Sequence, residues 1–324
     1  TPAYGDDAIT ARAAQAVADV LGGGDDDLHV FFVVNGTAAN TLSIASLTNR
    51  WERVLCEQWA HLNQDESTAP ELLTGTRVTT MDLAGGKITP AALRGAVATT
   101  MHGVHHPAPG VVSITNTTEH GEVYTPSEVA AVTDVAHELG YRVHMDGARF
   151  ANAVAAADCD PRALTLDAGI DALSFGGTKN GLGLGEAVVL FGEAGARAAQ
   201  RFPWLRKGSG HLLSKMRYVT APFAATLESG AWLRHAAHAN AMATRLAAGF
   251  AAAGVPSRFP TEANSVFVDL DEAVVAGLQA RGWEFHAMGD PTWNQYRFMA
   301  SFSTTQERVD ALVADVEDVV ATAA

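Results

Sequence analysis

The feature that most constrains this chain is a repeated alternation of short apolar runs with helical segments. The run at 28–34, LHVFFVV, is rich in β-branched and aromatic residues, which is typical of a buried strand. Helical spacing precedes it at 9–21 and follows it at 38–47. Further strands are predicted at 53–57, 78–81, 111–114, 142–145, 172–175 and 187–191. Continuous apolar strands separated by helices predict an α/β domain on a mostly parallel sheet.

The later part of the chain has a different pattern. Helices at 90–100, 126–139 and 161–168 separate the predicted strands, and from about 212 long helices continue through 250. Strands at 265–270 and 297–302 then flank a helix at 272–281, and a last amphipathic helix opens at 305. We predict a large domain at 1–225, whose N-terminal segment belongs to the small lobe or to a subunit contact, and a small α+β domain at 226–324.

The charge balance and the cysteines exclude several classes of protein. The 22 basic and 36 acidic residues give a net charge of −14, which disfavours nucleic acid and anionic membrane surfaces as partners. No apolar run approaches the length of a membrane span, and the first residues lack the pattern of a signal peptide. Cys56 and Cys159 have no CxxC spacing, so we expect neither disulfides nor structural zinc, and a reduced, cytoplasmic location.

Unusual polar groups follow three of the predicted strands, and open α/β sheets bind ligands at such strand ends. The first group, NGTAAN at 35–40, joins a strand to a helix. Backbone N–H groups at the helix start, Gly36 and the hydroxyl of Thr37 would form a pocket for an anion. An ordinary glycine turn with a threonine cap explains this motif equally well.

The second and third groups carry a carboxylate, an arginine and a lysine. Asp146 precedes Arg149 by three residues, so the carboxylate could pair with a pyridinium nitrogen and the arginine with a carboxylate or phosphate. Taken alone, this motif favours the alternative of an ion pair that caps a helix. Lys179 stands in the glycine-rich turn SFGGTKN, where burial and nearby cations lower the pKa of an amine and suit it to a Schiff base. A surface lysine is the alternative, which is weakened because the chain has few lysines.

One further glycine-rich stretch is rejected as a nucleotide site. GLGLG at 181–185 has spacing similar to a dinucleotide fingerprint. It precedes the predicted strand at 187–191, whereas the fingerprint follows a strand and opens a helix. The geometry that the motif requires is therefore missing.

The order of the three groups resembles that of fold-type I enzymes that use pyridoxal 5'-phosphate (PLP). In those enzymes the groups that bind the phosphate, the ring nitrogen and the aldehyde of the cofactor follow one another along the chain in this order. Longer stretches narrow the resemblance to the low-specificity threonine aldolase family within the β-eliminating lyase group. The stretches read VVNGTAANTL, WAHLNQDESTAPELLTG, VVSITNTTEHGEVY, HMDGARFANA, LSFGGTKNG and LLSKMRY, and the resemblance covers nearly the whole chain. The resemblance implies a fold-type I transferase-like α/β fold, PLP as cofactor, and cleavage of threonine, allo-threonine or phenylserine-like substrates to glycine and an aldehyde.

The resemblance also implies roles for individual residues. Lys179 would form the Schiff base, and Asp146 would hold the protonated ring nitrogen so that the ring becomes an electron sink. Gly36 and Thr37 would bind the phosphate. His61 would stack on the face of the ring.

A second active-site histidine is implied at His105, where the adjacent His102 and His106 leave the register open. Either His61 or His105, directly or through a water, would remove the proton of the β-hydroxyl, because imidazole titrates near working pH. No acidic ligand accompanies the three clustered histidines, so no metal site is expected.

The remaining implied residues concern the substrate and neighbouring subunits. Arg149 and Arg297 match arginines that engage phosphate or the substrate carboxylate. Lys207 and Arg217 match a basic pair that a neighbouring subunit contributes, and Tyr4 begins a YGDD motif expected near the site. The resemblance therefore implies a homo-oligomer, dimer or tetramer, with shared active sites. Family members usually carry an earlier segment with a Ser-Asp-Asn-like motif, and this sequence starts after it. Either those residues are not included here or that contact is absent, so the sequence describes the carboxylate pocket incompletely.

Three other functions stay open at the level of sequence. β-Elimination and transamination use the same scaffold, and a non-catalytic binding relative would keep only the fold. The aldolase is favoured because the matches extend beyond the cofactor groups to the region of His61 and to HMDGARFANA. The binding relative is disfavoured because both Lys179 and Asp146 are present.

Overall fold

The computed structural model describes residues 2–23, 28–83, 85–98, 103–289 and 293–323. Its strands are β1 (Leu28–Val33), β2 (Glu52–Glu57), β3 (Arg77–Met81), β4 (Ala108–Thr115), β5 (Arg142–Gly147), β6 (Ala172–Gly176), β7 (Glu186–Phe191), β8 (Ser265–Asp269), β9 (His286–Ala287) and β10 (Gln295–Met299). Its helices are α1 (Ala8–Leu21), α2 (Gly36–Leu47), α3 (His61–Gln64), α4 (Ala69–Thr74), α5 (Pro90–Ala98), α6 (Pro126–Glu138), α7 (Phe150–Ala157), α8 (Gly192–Gly208), α9 (Arg217–Glu228), α10 (Ala231–Ala252), α11 (Glu272–Ala280) and α12 (Gln306–Ala323).

The first seven strands form one sheet in the order β1-β7-β6-β5-β4-β2-β3. Strands β2 to β6 run parallel, and β7 is antiparallel to both of its neighbours. The predicted mostly parallel sheet is confirmed. The register sets Asp146 on β5 opposite Thr115 on β4 and Ser174 on β6, so the carboxyl ends of these strands lie side by side.

Helices cover both faces of this sheet, which explains why its strands are apolar throughout. On β4 and β7, Val111 and Val188 face the core formed with α2 and α8. The next residues along, Val112 and Val189, face the core formed with α1, α5, α6, α7 and α9. Alternate side chains of a strand point to opposite faces, so a strand buried on both sides needs apolar residues at every position.

The C-terminal part contains a second, smaller sheet in the antiparallel order β8-β10-β9. Its core includes Phe250 and Phe298, whose ring centroids are 5.0 Å apart. Helix α10 joins the two parts, because Trp232 lies in the core of the large sheet and Phe250 lies in the core of the small one. The predicted domain boundary between 225 and 226 falls inside α9, whereas the change of core occurs along α10.

Two local predictions are wrong. The helix predicted at 161–168 is a short 3-10 turn, Pro161–Leu164. It ends because the backbone of Thr165 is not helical, and the N–H groups of Thr165 and Asp167 both donate to the carbonyl of Arg162 instead of continuing a helical ladder. The strand predicted at 297–302 ends at Met299, because residues 301–304 form a turn in which the backbone N–H of Thr304 donates to Ser301.

His144 connects three strands beneath the strand ends. Its ring is fully buried on β5, with Nδ1 2.9 Å from the hydroxyl of Ser113 on β4 and Nε2 2.9 Å from the hydroxyl of Ser174 on β6. Burial lowers the pKa of His144 to about 4. A neutral ring whose two nitrogens both take part in hydrogen bonds therefore stabilises the central strands.

Within the described residues, no helix is long and apolar enough to cross a membrane.

Replacement of Phe175 by alanine should destabilise the large domain. Its buried ring lies 5.3 Å from that of Phe150 and 5.6 Å from that of Trp232, so it attaches β6 to two helices. Phe175→Ala should lower the free energy of unfolding by ~3–5 kcal/mol, measured by urea denaturation. Leu72→Ala, at a side chain 79% exposed, is the control and should change it by less than ~0.5 kcal/mol. Equal losses in both variants would contradict this packing.

The ring of His144 should stay neutral over the ordinary working range of pH. Its NMR chemical shifts should be constant between about pH 5.5 and 8, since burial favours the uncharged form. His137 is the internal control, because its hydrogen bond to Asp171 raises its pKa and its shifts should change within that range. A His144 signal that titrates alongside that of His137 would show that the ring is not held between the two serines.

Candidate active site

A cavity of about 410 Å³ lies at the carboxyl ends of the central strands. It brings together the three polar groups that the sequence sets at separate strand ends. The residues that line it are Val34, Asn35, Gly36, Thr37, Asn40, His61, Asp146, Ala148, Thr178, Lys179, Gly183, Leu184 and Glu186. A cavity of similar volume, about 450 Å³, lies between Trp283, Phe298 and Arg308 in the C-terminal part, and none of the predicted site residues lines it.

One end of the cavity is the start of helix α2. The side chain of Asn35 caps this helix by accepting the backbone N–H of Ala38 at 2.9 Å. Among the described residues, the backbone N–H groups of Gly36 and Thr37 have no hydrogen-bond acceptor. A Cβ atom added at Gly36 would meet no protein atom within 4 Å, so open space lies in front of these donors. A helix start with free N–H groups and open space suits an anion such as phosphate.

The carboxylate of Asp146 lies near the end of β5 and is buried. Its Oδ1 accepts the backbone N–H of Ala148 at 2.9 Å, and its Oδ2 accepts Nδ2 of Asn40 at 2.9 Å. Within the described part of the chain, no ion pair joins Asp146 to Arg149. The helix-capping ion pair that the sequence left open is therefore absent, and Asp146 is directed to the cavity.

Lys179 lies in the 3-10 turn Thr178–Asn180, directly after β6. Protein atoms surround the amine on most sides, but the side chain remains accessible to solvent through the open cavity. The positive charge of Arg149 and burial together lower the pKa of Lys179, while Asp146 acts in the opposite direction. A lowered pKa increases the neutral fraction of the amine, which is the nucleophilic form.

The path of the chain before Lys179 depends on glycine. A Cβ atom at Gly176 would lie 2.3 Å from the carbonyl oxygen of Ala148, which no real side chain tolerates. The backbone of β6 therefore passes against the residue that follows β5. This contact brings Lys179 close to Asp146.

Arg149 lies close enough to Lys179 to lower its pKa, and Arg297 lies near Arg149; among the described residues, neither arginine forms an ion pair with a carboxylate. Burial and the charge of Arg149 lower the pKa of Arg297 on β10. The Nε atom of Arg297 is buried and has no hydrogen-bond partner among the described residues. Neighbouring cations with an unused donor form a suitable site for a carboxylate.

His61 begins helix α3 after β2 and forms part of the cavity wall. Its Nδ1 is 3.0 Å from Oε1 of Glu66, and this hydrogen bond raises the pKa of His61. Oε1 of Glu66 also accepts Nδ2 of Asn40 at 2.8 Å. Neither Asn40 nor Glu66 is among the residues predicted from the sequence. The signal for Asn40 is a lone amide in a helix whose residues 38–47 are all buried.

His105 is not part of the cavity of its own chain. It lies exposed in the 3-10 turn Gly103–His105, which precedes β4. The eight residues of β4 separate that turn from the carboxyl ends of the strands, a distance of about 25 Å at ~3.3 Å per residue. The expectation that His105 is the base within one chain is therefore wrong. His102 lies outside the described residues.

Tyr4, Lys207 and Arg217 lie together outside the cavity, with Tyr4 and Lys207 exposed and Arg217 partly buried. The amine of Lys207 lies 4.7 Å from the ring centroid of Tyr4, and Nη1 of Arg217 donates to the carbonyl of Pro2 at 3.5 Å. The N–H of Tyr4 donates to the carbonyl of Ser214 at 3.1 Å, which attaches the N-terminal segment to the region before α9. This arrangement leaves the basic pair available to another subunit, and that role stays a prediction.

Comparison with known proteins places this geometry in a family. The sequence profile of the beta-eliminating lyases matches residues 1–273. A low specificity L-threonine aldolase from Pseudomonas sp. is 45% identical over 98% of this chain and 90% of its own length. A protein of the same name from Pseudomonas aeruginosa is 43% identical over 97% of this chain and 89% of its own length.

The fold agrees with a solved structure as well. A threonine aldolase from Leishmania major superposes with a TM-score of 0.91 at 26% identity, over 98% of this chain and 92% of that one. The predicted family resemblance and the predicted fold class are confirmed. This chain belongs to the beta-eliminating lyase family, and over almost its whole length it is similar to low specificity L-threonine aldolases.

Proposed function

We propose that this chain is a PLP-dependent aldehyde-lyase that cleaves threonine and related β-hydroxy-α-amino acids to glycine and an aldehyde. The observation that carries this proposal is that the amine of Lys179 and the carboxylate of Asp146 line one cavity beside the free N–H groups of helix α2. Relatives named low specificity L-threonine aldolase at 45% and 43% identity support it.

The residues of the cavity fit pyridoxal phosphate. The chain carries a net charge of −14, so a phosphate must be held by local donors, and the open start of α2 at Gly36 and Thr37 supplies them. Asp146 suits the ring nitrogen, Lys179 suits the aldehyde, and His61 suits the face of the ring. When bound, the cofactor supplies an aromatic ring with a protonated nitrogen that accepts the electron pair of the broken Cα–Cβ bond.

Asp146 and Lys179 prepare this chemistry in different ways. Asp146 is buried and accepts hydrogen bonds from Ala148 and Asn40, and a carboxylate next to a ring nitrogen favours the protonated form of that nitrogen. The charge of Arg149 keeps more of Lys179 in its neutral form. The same charge orients the negative end of an amino acid toward this side of the cavity.

The substrate carboxylate and the β-hydroxyl proton need separate groups. Arg149 and Arg297 bind the carboxylate, because the unpaired Nε of Arg297 offers a donor that no protein group uses among the described residues. His61 is the histidine of the cavity wall, and its Nε2 atom is the base that accepts the β-hydroxyl proton in this proposal. Removal of that proton lets the β-carbon leave as an aldehyde.

We also propose a homo-oligomer, dimer or tetramer, in which Lys207, Arg217 and Tyr4 complete the cavity of a neighbouring subunit. These residues are grouped outside their own cavity, and the large apolar side chains near them, Trp204 and Tyr218, are 81% and 72% exposed. We place the protein in the cytoplasm, since both cysteines are free thiols.

Lys179→Ala should remove both the cofactor absorbance near the visible range and the cleavage of threonine. The chain has four lysines, and Lys87→Ala is the matched control because Lys87 pairs with Glu128 on the surface. Acetaldehyde release, followed with a coupled aldehyde assay, should fall by at least ~10³-fold in Lys179→Ala and stay near wild type in Lys87→Ala.

The same assay separates the competing reactions. Aldol cleavage releases an aldehyde without a second substrate, whereas transamination consumes a keto acid. Undiminished threonine cleavage by Lys179→Ala, or a borohydride-reduced label at a lysine other than Lys179, would refute the assignment.

A mixture of two inactive variants should recover activity if the active sites are shared. Lys179→Ala removes the amine of a cavity, and Arg217→Ala removes the group expected from its neighbour. Random dimers of a 1:1 mixture would contain one intact site in half of the molecules, which gives about a quarter of the wild-type rate. The rate is measured after the subunits are dissociated and reassociated. No recovery, with Arg217→Ala inactive alone, would mean that Arg217 acts within its own chain.

A further inference from the structure

A chain of hydrogen bonds connects two groups that the proposed mechanism uses separately. It runs from Asp146 through Asn40 and Glu66 to His61, with distances of 2.9, 2.8 and 3.0 Å. Its members come from β5, from α2 and from the segment around α3, so three separate parts of the chain meet in it. Asn40, Glu66 and Asp146 are each more than nine-tenths buried.

The chemistry of Asn40 fixes the direction of these hydrogen bonds. Its Nδ2 donates one proton to Glu66 and one to Asp146, while its Oδ1 is buried with no partner among the described residues. The opposite amide orientation would put Oδ1 against both carboxylate oxygens, and that would be repulsive. Asn40 therefore supplies both of its protons to two carboxylates and separates their charges.

The contact with Glu66 determines which nitrogen of His61 is basic. An ionised Glu66 can only accept, so Nδ1 of His61 carries a proton and donates it. Nε2 is then the nitrogen with a free lone pair when the ring is neutral. Among the described residues no hydrogen bond engages Nε2, and the ring forms part of the cavity wall.

We propose that Glu66 is the positioning residue for His61, and that Asn40 ties Glu66 to Asp146 so that the histidine and the carboxylate act as one hydrogen-bonded unit. Glu66 does not touch the substrate. It holds the ring in one orientation and one tautomer, and it stabilises the imidazolium that forms when Nε2 takes a proton. This inference rests on the proposed function for the reaction that His61 serves.

The charged groups around the unit agree with this role. Glu66 raises the pKa of His61 by its hydrogen bond and its charge, Asp146 adds to that effect, and Lys179 opposes it. Burial raises the pKa of Glu66, as does Asp146, while the hydrogen bonds from His61 and Asn40 favour its charged form. On β2, burial raises the pKa of the Cys56 thiol to about 12, with smaller contributions from Glu57, Glu71 and Glu66, so this thiol stays neutral.

The first test measures His61 itself. In the full chain with ¹³C-labelled histidine, loaded with cofactor and without it, Glu66→Gln should lower the pKa of His61 by roughly one pH unit, because the substitution keeps an acceptor oxygen and removes the charge. Asn40→Ala should lower it by less, since Glu66 then loses one donor that favours its charged form. His137, paired with Asp171, is the internal control and should not change. The signal of His61 is identified by its loss in His61→Asn.

The second test asks whether Glu66 acts through His61. For threonine cleavage, Glu66→Gln should lower kcat/KM by about tenfold or more, which is a part of the ~100-fold or more that a positioned base contributes. The substitution should also move the acid limb of the pH profile to lower pH, because the pKa of His61 is lowered. Glu66→Asp, which keeps the charge on a shorter side chain, should restore part of the rate. In the His61→Asn background, Glu66→Gln should have almost no further effect.

Two outcomes would overturn the inference. One is an unchanged pKa of His61 in Glu66→Gln. The other is an equal loss of kcat/KM from Glu66→Gln with and without His61, which would give Glu66 a purely structural role. A wild-type protein that does not cleave threonine would refute the proposed function, whereas the coupling between Glu66 and His61 would still be read from the titration.

Discussion

The active site depends on how closely the backbones of β5 and β6 approach at their carboxyl ends. Gly176 passes so near the carbonyl of Ala148 that a Cβ atom would lie 2.3 Å from its oxygen. Adjacent parallel strands lie about 4.8 Å apart, and this contact keeps the segments at the ends of β5 and β6 close together beyond the last paired residues of the sheet. Asp146 and Lys179, 33 residues apart in sequence, thereby line the same cavity. A side chain at position 176 would separate the carboxylate from the amine.

Burying charge at such a strand end costs free energy, and the surrounding hydrogen bonds offset part of it. Asp146 and Glu66 share the two protons of Asn40, and His61 supplies Glu66 with a further donor. On the cationic side, the buried Nε of Arg297 is a donor that no described protein group uses. Asp146 thus accepts hydrogen bonds from within the chain at both oxygens, whereas Oε2 of Glu66 and Nε of Arg297 are buried without a partner among the described residues.

Several elements could be predicted because their signals are local. The apolar runs of β1 and β7, the asparagine before α2 and the turn around Lys179 each lie within a few residues of sequence, and local pattern is what propensity and periodicity report. The segment at 161–168 has a helical pattern, but the non-helical backbone of Thr165 ends it after a short 3-10 turn. The antiparallel direction of β7 has no sequence signal, since its neighbours come from distant parts of the chain.

By itself, the sequence determined the α/β class, the order of the anion-binding turn, the carboxylate and the lysine, and membership of the family. Each of these is encoded in a contiguous stretch. Only the tertiary structure decided which distant side chains meet. It joined Asn40 and Glu66 to Asp146 and His61, and it placed His105 at the opposite edge of the sheet. The physical reason is that such contacts arise from the crossing of separate strands and helices, and the spacing of residues along one strand or helix carries no information about its partners.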